Sequence, residues 1–268
     1  MYDSVVFSAG GTYGSAYVGA YKALEARNLT FKLKRFHGTS SGAIVATMAA
    51  CGLTSAEMHR VLETACVEPR PKISLRRLSA DWGAVNISEY MKTALDSFLP
   101  DGATFVTLAK KYGVFLSVHA YDIGSRKLVD FNLETTPDME VRVCVEASCC
   151  VPLVFRPVTI NGTLHVDGAV SQRTPMHAII DPKRTLVLDV MDEISGHPTD
   201  IIQYITALTA GASRYTGKYE GDFLTISVPE GSPGITDLPM SKDKLTPMVE
   251  AGYVAVRRLL NDKCGESV

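Results

Sequence analysis

Residues 38–43 read "GTSSGA" and stand between an apolar run at 34–37 and a stretch of small residues with helical spacing. Gly38, Ser40 and Gly42 make the pattern G-x-S-x-G between a strand and a helix. There a sharp turn lifts the serine hydroxyl into the open, and the glycines let strand and helix pass close by. Ser40 is therefore the candidate nucleophile for acyl transfer. A glycine-rich turn whose serines cap the helix would use the same residues without chemistry. The placement between apolar run and helix favours the catalytic reading.

A second glycine cluster, "AGGTYG" at 9–14, follows the apolar run 5–7 and precedes the helical stretch 15–26. Such a cluster gathers backbone N–H groups at a helix N-terminus, where an anion is favoured. Either the pyrophosphate of a dinucleotide or the oxyanion of an acyl-transfer intermediate fits that description. A dinucleotide fingerprint would take Ala9, Gly11 and Gly14 as a variant of G-x-G-x-x-G and would need an acidic residue at the end of the second strand to hold a ribose. That strand reads "KLKRFH" and runs into the serine instead. The glycine loop is thus read as an oxyanion hole facing the attacked carbonyl.

A serine nucleophile needs a base. The six histidines are His37, His59, His119, His165, His177 and His197. None lies in a late loop of the kind that the Ser, acid, His order of an α/β-hydrolase requires, and His197 in "SGHPTD" comes nearest. Asp167 in "LHVDGAV" suits the role better. A strand ending in Asp-Gly presents its carboxylate at the rim of a sheet, and Gly168 permits a tight turn beside it. An ordinary turn aspartate, with a conventional triad built on His165 or His197, is the rival reading.

These residues need a scaffold to hold them. Apolar runs at 5–7, 34–37, 114–120, 128–131, 164–166, 186–190 and 223–228 read as buried strands. Helical spacing appears at 15–26, 42–51, 55–66, 88–98, 138–148, 200–215 and 245–260. The early alternation of β and α predicts a central, mostly parallel sheet covered by helices. A chain of 268 residues with 46% hydrophobic content can bury a sizeable core, and one domain over 1–268 is expected. A net charge of -2 and a pI near 6.3 provide no basic field for nucleic acid, which is not expected as a partner. Met1 leads almost directly into the apolar run 5–7 with no basic or long apolar leader, and no run is long enough to span a bilayer. A soluble cytoplasmic chain that can sit on a membrane surface is expected. The six cysteines lack zinc-type pair spacing and read as reduced, packing thiols; the adjacent Cys149 and Cys150 are the odd pair.

The chain resembles the patatin-like phospholipase family. The likeness is carried by "AGGTYG", by "GTSSGA", by "ASCCVPLVFRP" at 147–157, and by "VDGA" with Pro175 downstream. The segment 104–123 and "AGYVAVRRL" near the end add to it. The resemblance implies a patatin-like three-layer α/β fold and a serine lipid acyl hydrolase of phospholipase A type. Such an enzyme cleaves acyl esters with a Ser-Asp dyad and uses no metal, no cofactor and no catalytic histidine. Carried over by position, Ser40 is the nucleophile, Asp167 the general base, and the backbone N–H groups of Gly10, Gly11 and Thr12 the oxyanion hole. Two residues depart from the family pattern. Tyr13 stands where the family carries Lys or Arg, offering a neutral donor in place of a charge. Ala9 replaces the first glycine of the loop, which requires a negative φ there. These departures keep a second reading open, a lipid-binding or structural protein that retains the fold and hydrolyses poorly.

Two irregular stretches remain. Residues 229–244, "PEGSPGITDLPMSKDK", read as an extended surface loop. The segment "PRPKISLRRL", residues 69–78, carries Arg70, Lys72, Arg76 and Arg77 and no acid. With Trp82 it reads as a contact for anionic lipid, in which the cations meet head groups while Ile73, Leu75 and Leu78 dip toward the acyl boundary. Each cation near such a surface contributes on the order of 1 kcal/mol. A solvated basic face with Trp82 in the core is the plain alternative. Charge reversal at Arg76 and Arg77 is expected to weaken binding to anionic vesicles at low salt, measured by co-sedimentation. Unchanged binding would remove the membrane reading.

Overall fold

The computed structural model describes residues 2–67, 78, 80–191, 204, 207, 215–229 and 241–265. Its strands are β1 (Ser4–Phe7), β2 (Arg35–Thr39), β3 (Gly83–Val85), β4 (Phe115–Asp122), β5 (Lys127–Asn132), β6 (Leu153–Phe155), β7 (Val158–Ile160), β8 (Thr163–Asp167), β9 (Thr185–Met191) and β10 (Asp222–Ser227). The described α-helices are α1 (Ser15–Ala26), α2 (Ser41–Ala50), α3 (Ser55–Val67), α4 (Ile87–Asp96), α5 (Phe105–Tyr112), α6 (Val141–Ser148) and α7 (Lys242–Cys264).

The main sheet runs β10-β9-β1-β2-β4-β8-β7, with β5 paired to β4 beside that path. From β10 to β4 all neighbours are parallel. Strands covered on both faces must be apolar without alternation. β1 ("SVVF") is buried at every residue, and β9 ("TLVLDVM") at all but its last. Beyond β4 the sheet changes character, because β5, β8 and β7 join antiparallel. β3 and β6 form a separate parallel pair. Helices flank the sheet, so the predicted α/β class holds, with the parallel order confined to one half.

The chain leaves β1 toward β2 on one side and returns through β9 on the other. This reversal makes β1 a switch point, where the crevice at the carboxyl ends of the strands can hold a ligand. The glycine loop follows β1 and Ser40 follows β2.

Some elements differ from the sequence expectation. β3, β6 and β7 are three residues each and carry no long apolar run. Helix α5 was not anticipated, although Thr104 and Thr107 form a reciprocal capping box before it and Gly113 closes it at φ 67°. Helix α6 begins at Val141 rather than 138 because Glu140 is extended and bridges Thr104. Residues 69–77, His197, most of the helical stretch predicted over 200–215 and residues 230–240 of the loop predicted over 229–244 lie outside the described residues. Trp82 is 60% exposed at φ 57°, which removes the alternative that buried it in the core. Cys51, Cys144, Cys149 and Cys150 are buried free thiols. No described helix is long and apolar enough to cross a membrane.

Helices α1 and α7 cross where glycine faces backbone. A Cβ on Gly19 would lie 1.7 Å from the Val249 carbonyl oxygen, and one on Gly252 would lie 1.8 Å from that of Ala16. No side-chain rotation can relieve such a clash. Gly19→Ala should therefore push the helices apart and destabilise the protein by about 3 kcal/mol or more, read as a lowered urea midpoint. A loss within experimental error would show that the close crossing is dispensable.

Candidate active site

Ser40 sits between β2 and α2 with φ 57° and ψ -129°, a conformation that L residues rarely adopt. Two contacts hold it there. Gly42 packs against β1 so closely that a Cβ would meet the carbonyl oxygens of Phe7 at 2.2 Å and Ser8 at 2.5 Å. The Ser40 backbone N–H donates to Ser148 Oγ at 2.9 Å, and the Ser148 hydroxyl donates in turn to the His119 carbonyl at 2.6 Å. The buried end of α6 thus ties the turn to β4.

Strand register brings Asp167 to the same level. Thr39 pairs with His119 on one side of β4, and Ala120 pairs with Asp167 on the other. The Asp167 N–H donates to the Cys150 carbonyl at 2.9 Å, so residues 148–150 hold both Ser40 and Asp167. Asp167 is 3% exposed. Its Oδ1 accepts the Ala169 N–H at 2.9 Å, and the Ser40 side chain is near enough to favour its charged form. Burial is the largest influence on it and pushes the carboxyl up to about 6, against the opposing pull of Ser40, the Ala169 N–H and the Arg173 charge.

The glycine loop lies across the same end of the sheet. Gly10 precedes a 3-10 turn at Gly11–Gly14, and its N–H donates to Ser41 Oγ at 3.1 Å. Gly11 has φ 53°, whereas Ala9 is not among the residues with positive φ, so alanine is accommodated at that position. The Ala9 N–H donates to the Arg173 carbonyl at 2.9 Å, and Arg173 Nε donates to Asp189 Oδ1 at 2.9 Å. A second guanidinium nitrogen of Arg173 donates to the Val190 carbonyl. The chain just past Asp167 therefore clamps the loop against β9. Tyr13 is buried.

Of the rival bases, His197 lies outside the described residues and His165 is engaged on its own strand. His165 Nδ1 lies 3.2 Å from the Thr163 carbonyl and its ring packs on Phe131. His119 and His177 both face Asp130, and His37 stacks on His119. Ser148 and Arg173 had no assigned role from sequence. The signal for Arg173 was Asp189, an acid inside an otherwise apolar strand, which needs a cationic partner. Ser148 stood inside the quoted "ASCCVP" block with nothing to say which backbone group it would meet.

The family profile described as patatin-like phospholipase matches residues 5–180. A protein of Invertebrate iridescent virus 6 named "Probable lipid hydrolase 463L" is 27% identical over 67% of this chain and 63% of its own length, so the likeness leaves more than a third of that relative unmatched. YqhO of Bacillus subtilis (strain 168), described as uncharacterized, is 30% identical over 71% of each chain. The crystal structure of VipD from Legionella pneumophila aligns with a TM-score of 0.67 over 97% of this chain and 67% of that one, at 14% identity, a likeness of fold.

The burial of Asp167 sets a stability prediction. A carboxyl held near 6 when folded, against an ordinary 3.8, binds its proton more tightly in the native state than in the unfolded chain. Its favourable contribution is complete below the unfolded value and is lost as pH rises from about 4 to about 6. The difference corresponds to about 3 kcal/mol at neutral pH. Asp167→Asn should therefore stabilise the fold at pH 7.5 and change it little at pH 4, by urea denaturation. Destabilisation at pH 7.5 would refute the assignment.

Proposed function

Because the chain belongs to the patatin-like phospholipase family, we propose that it is a serine lipid acyl hydrolase of phospholipase A type, working through a Ser40–Asp167 dyad. The observation that carries this reading is the buried Asp167 carboxyl, brought by strand register to the strained strand-to-helix turn that holds Ser40, with the Ser40 side chain favouring its charged form.

In the proposed reaction the Asp167 carboxylate takes the proton from Ser40 Oγ as that oxygen attacks the ester carbonyl. The oxyanion is held by N–H groups of Gly10, Gly11 and Thr12, each typically worth about 3 kcal/mol in such a role. At rest the Gly10 N–H is bonded to Ser41 Oγ, which gives way when the oxyanion forms. Collapse expels the alkoxide of the leaving lipid, which takes the proton from Asp167. A water molecule, again deprotonated by Asp167, then hydrolyses the acyl-serine ester. No step is assigned to a metal, a cofactor or a histidine. The substrate is a phospholipid or another acyl lipid.

Surface contact with a membrane is supported by Trp82 and Leu153, 60% and 48% exposed, which lie next to or on the small β3–β6 pair where Gly83 meets Leu153. Leu153 follows Cys150, the residue that holds Asp167. The alternative of a lipid-binding protein with little turnover is favoured by the engaged Gly10 N–H. A fluorophosphonate probe separates the two, since hydrolysis requires labelling at Ser40.

Acyl release from a panel of defined lipids provides the main test. Ser40→Ala, Asp167→Asn and the double variant should each lose at least about 1,000-fold in kcat/KM and by similar amounts, because members of one catalytic unit are not additive. Activity of the unaltered protein should rise as pH passes about 6, where Asp167 ionises. Near-normal activity in Asp167→Asn, with loss in His165→Ala, would overturn the dyad.

A further inference from the structure

His119 on β4, Asp130 on β5 and His177 past β8 converge on one point. His119 Nδ1 lies 2.7 Å and His177 Nε2 2.9 Å from the same oxygen, Asp130 Oδ1, and His177 Nε2 also reaches Oδ2 at 3.0 Å. One ligand atom from each residue falls within 4.8 Å of the other two. Antiparallel register places His119 opposite Asp130, so two of the three groups are fixed by the sheet itself. The His119 side chain is buried, while those of Asp130 and His177 are 28% and 39% exposed. The cluster has a closed back and an open front.

As placed, the Gln172 amide and Asp130 present an acceptor to each ring nitrogen of His177. His177 Nδ1 lies 3.1 Å from Gln172 Oε1, a carbonyl oxygen that can only accept. A neutral imidazole has one N–H, yet both nitrogens of His177 face acceptors. With the hydrogen at Nδ1 for Gln172, the Nε2 lone pair points at Asp130. With the Gln172 oxygen on that side, a second proton or a metal ion between lone pair and carboxylate completes the contact. His119 Nε2 is buried with no partner among the described residues, so the hydrogen it carries when Nδ1 presents its lone pair finds no acceptor, a cost that the bond to the ion must exceed.

We propose that His119 Nδ1, Asp130 and His177 Nε2 form a binding site for a divalent transition-metal ion of the zinc class, separate from Ser40 and Asp167. Two imidazoles and one carboxylate suit Zn²⁺ or a related ion, whereas Mg²⁺ and Ca²⁺ prefer all-oxygen shells. The open front leaves a coordination position for water. Gln172 supplies the outer hydrogen bond that orients a ligating histidine. His119 also joins the framework of the Ser40 turn, because its backbone carbonyl accepts the hydroxyl of Ser148. This inference does not depend on the dyad.

The test is titration of chelator-treated full-length protein with Zn²⁺ by calorimetry and with Co²⁺ by visible absorption. One ion per chain is expected, with a Co²⁺ spectrum that lacks the thiolate charge-transfer band a cysteine site would show. His177→Gln, at a partly exposed position where folding is not at stake, and Asp130→Asn should weaken binding by more than Gln172→Ala, which should cost about 10-fold to 100-fold. Absence of saturable Zn²⁺ binding, leaving a proton on His177 as the bridging cation, overturns the proposal. So does binding that survives both His177→Gln and Asp130→Asn, or a thiolate band.

Discussion

The backbone of Ser40 is held at a φ of 57° that costs on the order of 1–3 kcal/mol for a residue with a side chain. It persists because its surroundings leave no other choice. Gly42 closes the space between α2 and β1, and the Ser148 hydroxyl bridges the Ser40 amide to the His119 carbonyl. The rest of the site is measured from that turn. α6 must end where Ser148 can reach it, β4 must lie beside β2, and β8 must join β4 one residue further on for Asp167 to arrive at the hydroxyl.

Asp167 carries the opposing constraint. A dry pocket disfavours its charge, yet in the role of base proposed above it must be charged to accept a proton. The Ser40 side chain, the Ala169 N–H and the nearby Arg173 charge offset part of the desolvation and leave the group near 6. That value lies close to neutral pH, where a general base is most effective. The strain at Ser40 and the buried charge at Asp167 are both tolerated because β1 and β9 form a continuous apolar centre beside them. Sites that work against the stability of their own fold are common where chemistry is done.

The legible parts of the molecule were those with a local signature. Seven strands stood out as apolar runs, most plainly β1 and β9, where both faces of the parallel part are buried, and α1 was readable to its ends. Ser40, the glycine loop and Asp167 were each marked by neighbouring glycines. What could not be read depends on register between distant segments. Nothing in "SVHAYD" and "LVDFN" says that His119 and Asp130 stand opposite each other. Nor could Ser148 be assigned before β4 and the turn at Ser40 had been placed together. The three-residue strands β3, β6 and β7 are too short to impose a period on the sequence, and α5 was hidden by the length of the apolar stretch that follows it.

The close crossing of α1 and α7 bears on how the protein is made. The glycine loop and Ser40 lie in the earliest part of the chain, but β1 gains one of its neighbours only when β9 exists, and α1 gains its cover only when α7 does. Contacts between such distant segments close large loops and form late. A chain emerging from the ribosome would carry the nucleophile's residues long before it carried the pocket that arranges them. Assembly of the site is thereby coupled to the synthesis of β9 and α7, and a product ended before them would retain the sequence motif without the geometry around it.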